Sequence, residues 1–251
     1  METQMDPALL TLLCLAVFGA AMLQAATGIG YGVIAGPIFL VALNGTEAIQ
    51  ISALHNLAIA LVLAPSLRGA MDRTVLTRLI AGGVVGITAG LVLQTWLSVA
   101  ALKLCAAAMV AFVAATLLLD MRRGRGAASG MPPAAGETGL VGTLAGVMGG
   151  VLAMPGPLAA TWMSVRGFDR GTVRATILAF FVFAYGANVA SYALLTGFGT
   201  VSLRLAAWLL PALALGIAAG VGLSGRLSET LFRKVLLGVL ATTVALLLVS
   251  I

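Results

Sequence analysis

Two short segments of the chain combine glycine and proline in a pattern suited to binding a ligand through the main chain. Residues 28–37 read GIGYGVIAGP and residues 146–155 read GVMGGVLAMP. A gap-free comparison finds identical residues at five positions: Gly28 with Gly146, Gly32 with Gly150, Val33 with Val151, Ala35 with Ala153, and Pro37 with Pro155. Glycine allows a ligand to approach the backbone closely, and proline sets where a helix can restart. The repetition predicts that both segments serve one site.

Helix N-termini at such a site would attract a negatively charged ligand. Their unpaired N–H groups carry roughly half a positive charge, so two of them meeting in an apolar interior would bind an anion. The alternative is that the glycines only allow close helix packing. The same pattern twice, with proline at the same offset, favours binding. The backbone candidates are Gly28, Gly30, Gly32, Pro37, Gly149, Gly150, Pro155 and Gly156.

A few polar side chains interrupt or adjoin the long apolar runs, and polar groups in such runs generally face a cavity or a partner helix. The side-chain candidates for lining the site are Gln24, Tyr31, His55, Asn56, Tyr185 and Asn188. His55 is also the candidate for carrying a coupling proton, because it is the only ionisable side chain well placed to carry one. The alternatives are hydrogen bonds between helices for the two asparagines, and a neutral histidine bonded to a backbone carbonyl for His55.

The sequence gives no indication of enzyme chemistry. It contains no HExxH, GxSxG or Walker A motif, and Glu47 and Asp169 lie at the ends of apolar runs rather than inside them. Cys14 and Cys105 lie inside runs without a CxxC motif. We therefore expect no catalytic residues, no metal and no cofactor.

Composition requires hydrocarbon as the solvent for most of the chain. Of 251 residues 61% are apolar and only 9% are charged, with mean hydropathy +1.13. A soluble domain carries about 25% charged residues. In lipid, apolar runs about 20 residues long are expected to form helices, because an open strand would leave backbone groups without hydrogen bonds.

The net charge of +6 resides mainly in short connections, so we expect no nucleic-acid partner. The first run follows no basic residue, so we expect it to be retained rather than cleaved as a signal peptide.

The stretch 120–138, DMRRGRGAASGMPPAAGET, has the composition of a linker and divides the chain near its middle. We predict a first repeat over 1–119 and a second over 139–251. Each would contain a broken helical hairpin followed by three transmembrane helices. The predicted ranges are about 8–43, 48–67, 75–97 and 99–119 in the first repeat, and about 139–165, 172–195, 203–222 and 230–250 in the second.

The distribution of basic residues distinguishes two topologies. If both glycine–proline segments crossed the membrane, the 14 Lys and Arg residues would divide seven to seven. If each segment returns to its own side, only Lys103 and Arg204 lie opposite the other twelve, which is the asymmetry that insertion produces. We therefore predict hairpins, two inverted repeats, cytoplasmic connections at 66–79, 120–138, 166–174 and 223–234, and both termini outside. Residues 8–26 are nevertheless long enough to cross alone.

At these residues the chain resembles the sulfite exporter TauE/SafE family of small bacterial membrane permeases. The resemblance is carried by GIGYGVIAGP (28–37), TEAIQISALHN (46–56), GVMGGVLAMPGP (146–157) and GTVRATILAF (171–180). Tyr31 stands where another glycine is common in the family. The resemblance implies transport of sulfur-containing anions such as sulfite or small organosulfonates, mostly outward, across the bacterial inner membrane.

We therefore predict an all-α polytopic membrane protein that exports a small inorganic or organic anion, with the lipid bilayer as its surroundings. Export agrees with a negative cell interior, which drives an anion outward by about 2.3 kcal/mol per charge at 100 mV. An anion channel, a proton-coupled uptake carrier for a sulfonate or carboxylate, and a membrane-embedded redox enzyme remain alternatives. The sequence is compatible with a homodimer.

Overall fold

The computed structural model describes residues 6–123, 134–223 and 229–251, without the side chains of 120–123 and 229–235. The all-helical prediction is confirmed, since these residues form ten α-helices and no strand. The helices are α1 (Pro7–Thr27), α2 (Tyr31–Leu43), α3 (Glu47–Leu67), α4 (Arg73–Trp96), α5 (Val99–Arg123), α6 (Ala135–Leu152), α7 (Gly156–Val165), α8 (Arg170–Ser191), α9 (Thr200–Leu223) and α10 (Glu229–Val249). A π-helical turn at Tyr192–Thr196 extends α8. Most of the predicted linker, at 124–133, lies outside the described residues.

Aspartates start three of these helices. The carboxylates of Asp6, Asp72 and Asp169 each accept a hydrogen bond from a backbone N–H in the first turn of α1, α4 and α8. Such caps satisfy amides that have no partner within the helix. Hydrogen bonds from Thr172 lower the pKa of Asp169, so its carboxylate stays charged at the start of α8.

Among the described residues, seven helices are long and apolar enough to cross a membrane: α1, α3, α4, α5, α6, α8 with its π turn, and α9. Large apolar side chains lie on their outer faces, including Trp96 and Trp208, which are 79% and 66% exposed. Lipid is the solvent that such a surface suits. The prediction of a polytopic membrane protein is confirmed.

Glycines join the two halves of the chain at their closest helix pair, α4 with α6. Glycines spaced four residues apart lie along both helices at this interface: Gly82, Gly86 and Gly90 on α4, and Gly142, Gly146 and Gly150 on α6. A methyl group at Gly146 would lie 2.8 Å from the Gly83 carbonyl oxygen. In the same way α1 packs along α9, with Gly216 facing Phe18 and Ala21. Each long hairpin helix is therefore held by the opposite half.

Equivalent helices of the two halves run antiparallel. Gln50, at the start of α3, donates a hydrogen bond to the Gly197 carbonyl just beyond α8, at 3.3 Å. At the other end of the pair, the Thr176 hydroxyl of α8 accepts from the Asp72 N–H, at 2.9 Å. Lys103 at the start of α5 donates to the Ser250 carbonyl after α10, at 2.8 Å. In these two helix pairs the directions are those that an inverted repeat requires; the inverted repeat and the membrane topology stay predictions.

Both broken segments fold back on themselves. In the second, Trp162 and Arg166 at the end of α7 donate to the Glu137 carboxylate at the start of α6, so the chain returns to the side it left. In the first, α1 runs parallel to α9, and Ser202 near the start of α9 bonds to Gln50 near the start of α3. Helix α2 therefore brings the chain back to the side on which α1 begins.

Candidate functional site

The break between α1 and α2 is built from two glycines in backbone conformations that other residues rarely adopt. Gly28 has φ +90° and Gly30 has φ +145°. Between the two helices, the side-chain oxygen of Gln24 accepts the Tyr31 N–H at 2.9 Å. Gln24 therefore caps α2 from the last turn of α1. In a helix starting at Tyr31, the N–H groups of Gly32 and Val33 also lack an intrahelical acceptor.

The first turn of α2 meets the break between α6 and α7. A methyl group on Gly32 would lie 3.1 Å from the Ala153 carbonyl oxygen and 3.5 Å from Asn56 Nδ2. One turn later, Gly36 faces Met154 and the hydroxyl of Ser52. We call this meeting point the central junction and define it by Gln24, Gly32, Ser52, Asn56, Ala153 and Met154. Ser52 and Asn56 lie in the middle turns of the 21-residue helix α3, so the junction is deep in the protein.

Buried polar atoms without a partner concentrate at the central junction. Among the described residues, Gln24 Nε2, Ser52 Oγ and Asn56 Oδ1 have no hydrogen-bond partner, and neither does Asn188 Oδ1. All four side chains are at most 1% exposed. Leaving such an atom unpaired costs about 1–3 kcal/mol. A cluster of these atoms beside a free helix N-terminus therefore indicates a place that a polar ligand fills.

The two asparagines use their N–H groups on backbone carbonyls. Asn56 Nδ2 donates to Ser52 O at 2.9 Å, and Asn188 Nδ2 donates to Ala184 O at 3.0 Å and Gly149 O at 3.2 Å. Carbonyls only accept, so the amide orientation follows from chemistry. Each asparagine therefore presents an unpartnered oxygen, and Asn56 has a second N–H group on Nδ2 besides the one bonded to Ser52.

His55 lies between two partners. Its Nε2 is 2.9 Å from the Ala206 carbonyl of α9, and its Nδ1 is 2.6 Å from the Tyr31 hydroxyl. Because the carbonyl accepts, Nε2 carries the proton and Nδ1 accepts from Tyr31. Both nitrogens are occupied in the neutral ring. This is the geometry of the structural alternative, in which His55 ties α2 and α3 to α9.

The second break differs from the first. Helix α6 ends at Leu152, and Ala153 follows with φ +54° while its N–H bonds to Gly149 O at 2.8 Å. Pro155 precedes α7, which begins with Gly156 and Pro157, and the two prolines have no N–H. The ring of Phe181 covers Gly156. The N-terminus of α7 is therefore poor in donors, unlike that of α2.

Several predicted site residues lie elsewhere. Gly150 packs on α4, where a methyl group would lie 2.6 Å from the Ile87 carbonyl oxygen. Pro37 is inside α2, whereas Pro155 precedes α7, so the matched prolines do not occupy matched positions. Gly149 contacts Pro155 beside Asn188. Tyr185 is buried against Phe181, with ring centroids 5.2 Å apart.

The structure adds residues that the sequence reading missed. Ser52 precedes Asn56 by one helical turn, and Gly36 follows Gly32 by one turn; this spacing of four was the available signal. Arg174 had been assigned to a connection. Its guanidinium instead donates to the Ala25 carbonyl at the end of α1, and its stem contacts Gly28. A cation therefore lies beside the first break.

Comparison with known families agrees with this architecture. The family model described as Sulfite exporter TauE/SafE matches residues 13–247, nearly the whole chain. The chain belongs to this family, which confirms the resemblance. Membership implies a membrane transporter of sulfite or related anions rather than an enzyme. Searches of curated proteins and of solved structures give no significant match.

Proposed function

We propose that the protein exports sulfite or a small organosulfonate across the bacterial inner membrane and binds it at the central junction. The observation that carries the proposal is the N-terminus of α2, which lies deep in the helix bundle beside buried, unpartnered Gln24 Nε2 and Ser52 Oγ. These groups are hydrogen-bond donors. Helix N–H groups and neutral donors can hold an anion in a low-dielectric interior without a buried cation.

The antiparallel equivalent helices support an inverted-repeat transporter, in which a ligand site lies where broken helices of the two halves meet. Alternating access then requires the two hairpins to separate on one side at a time. Gly32, where a methyl group would lie 3.1 Å from the Ala153 carbonyl oxygen, is a point at which the two broken segments meet and would separate in that movement.

The positive charge of Arg174 supports loading from the predicted cytoplasmic side. The guanidinium lies beside the α1–α2 break and donates to the carbonyl of Ala25, the residue that follows Gln24. A cation at this position draws an anion towards the break, and the membrane potential then favours its release outward.

Transport by purified full-length protein in liposomes tests the proposal. Liposomes loaded with sulfite, 2-hydroxyethanesulfonate or a small carboxylate are diluted into anion-free buffer under an imposed potential. We expect efflux of sulfite or the sulfonate and saturable counterflow of labelled anion. Ser52→Ala should reduce the rate, whereas the control Thr88→Val, which removes an exposed hydroxyl, should not.

The alternatives give different results. A channel would show flux without counterflow. A proton-coupled uptake carrier would accumulate anion only under a pH gradient. If neither sulfite nor a sulfonate moves, the proposed function is wrong.

A further inference from the structure

We propose that the central junction selects a sulfonate-type monoanion that carries its own hydrogen-bond donor, an O–H or N–H group. This inference rests on the proposed function and specifies the ligand of the same site. It follows from the kinds of polar atoms left unpaired there, which include acceptors as well as donors.

The donors lie at the start of α2. Gln24 uses its oxygen to cap Tyr31 and has its Nε2 group unpartnered, so it offers N–H groups. The backbone amides of Gly32 and Val33 point from the same helix end. Sulfonate oxygens, which only accept, match this group.

The acceptor lies opposite, on α3. Asn56 is fully buried, its Nδ2 donates to the Ser52 carbonyl, and its Oδ1 has no partner. Turning the amide over would set its oxygen against that carbonyl, so Oδ1 remains the free atom. Asn56 Nδ2 would lie 3.5 Å from a methyl group at Gly32, and Oδ1 belongs to the same amide, so the unpaired acceptor lies close to the turn of α2 that carries the donors.

An anion with acceptor atoms alone would leave Asn56 Oδ1 unpaired and would bring a second acceptor towards it. A ligand bearing an O–H or N–H group satisfies both sides. Sites built to pair with a ligand hydroxyl discriminate against analogues lacking it, because the buried partner is then left without a hydrogen bond. One such unpaired acceptor corresponds to about a 5- to 150-fold difference in affinity.

Calorimetry on the full-length protein in detergent tests the inference with two probes, 2-hydroxyethanesulfonate and propane-1-sulfonate. They have the same charge and the same number of heavy atoms, and differ by a hydroxyl in place of a methyl group. We expect the hydroxyl compound to bind at least about five-fold more tightly. Asn56→Leu should remove this preference, and Asn188→Leu should retain it.

Each outcome separates this inference from the proposed function. Equal affinity of the two probes in the wild-type protein would overturn the donor requirement and leave sulfonate transport standing. A preference that is lost in Asn188→Leu rather than in Asn56→Leu would also overturn the donor requirement. The same holds if propane-1-sulfonate binds only with sodium, because Asn56 Oδ1 would then bind a cation. If both probes and sulfite fail to bind, the proposed function fails as well. The wild-type comparison decides the question even if Asn56→Leu does not fold.

Discussion

The two broken hairpins have the same order of helices, but they differ in the hydrogen-bonding groups at their breaks. In α1–α2, glycines form the break itself; Gln24 caps the Tyr31 amide, and the amides of Gly32 and Val33 have no intrahelical acceptor. In α6–α7, the glycines lie before the break and pack α6 on α4, while prolines remove amides from the start of α7. The first hairpin thus contributes donors to the junction, and the second contributes the Ala153 carbonyl and the Met154 side chain.

A repeated glycine–proline pattern therefore does not imply a repeated role. Glycine at Gly32 leaves room beside a polar junction, and glycine at Gly150 lets two helix backbones touch. We therefore expect glycine to affect binding in the first hairpin and folding in the second. The predictions below test this division.

The largest effect is expected at the α4–α6 interface. Gly150→Val would drive its side chain into the backbone at Ile87 and Leu91, costing about 3 kcal/mol, the upper part of the usual range for overpacking. We expect loss of the monodisperse peak in size-exclusion chromatography and a markedly lower Tm. Gly139→Val on the same helix, where a Cβ meets nothing within 4 Å, is the matched control. A wild-type Tm for Gly150→Val would contradict the packing role.

The next effect separates binding from folding. Gly32→Ala places a methyl group 3.1 Å from Ala153 O, a contact that a small shift of the junction relieves. We expect nearly wild-type Tm and anion affinity reduced about 10- to 100-fold, measured by calorimetry. Gly19→Ala in α1, with open space at its Cβ, should change neither quantity. Unchanged affinity for Gly32→Ala would move the site away from the junction.

A smaller effect is expected at His55. Glutamine can replace both hydrogen bonds, because it offers one acceptor to Tyr31 and one donor to Ala206. We therefore expect His55→Gln to lose less than about 1 kcal/mol and to keep the pH profile of transport, whereas His55→Leu should lose about 1–3 kcal/mol. Chemical denaturation and liposome flux across pH measure the two quantities. A pH dependence abolished by His55→Gln alone would restore the proton-carrying role.

The smallest effect is expected where the second hairpin closes. The Glu137 and Arg166 side chains are 33% and 26% exposed, so their ion pair is partly screened. Glu137→Gln should lower stability by less than about 1 kcal/mol and leave anion affinity unchanged. The difference should shrink further at high salt. A large loss of transport in this variant would contradict the prediction and show that the Glu137–Arg166 ion pair is needed for function.

The helices and the position of the first break could be predicted from the sequence alone. Long apolar runs in a chain with 9% charged residues must become helices in lipid, since only internal hydrogen bonds satisfy the backbone there. Gly28 and Gly30 marked the break because their conformations exclude most other residues. Gln24 and Asn56 were identifiable as site candidates because buried polar groups in such runs need partners.

The partners of those groups depend on the packing of the helices. Asn56 faces a carbonyl with its Nδ2 group, His55 lies between Tyr31 and a carbonyl 151 residues away, and Gly150 contacts α4 rather than the central junction. The roles of donor, acceptor and packing residue depend on atoms contributed by other helices. A linear pattern specifies the residue type at a position, but the helix packing sets which atoms of that residue remain free.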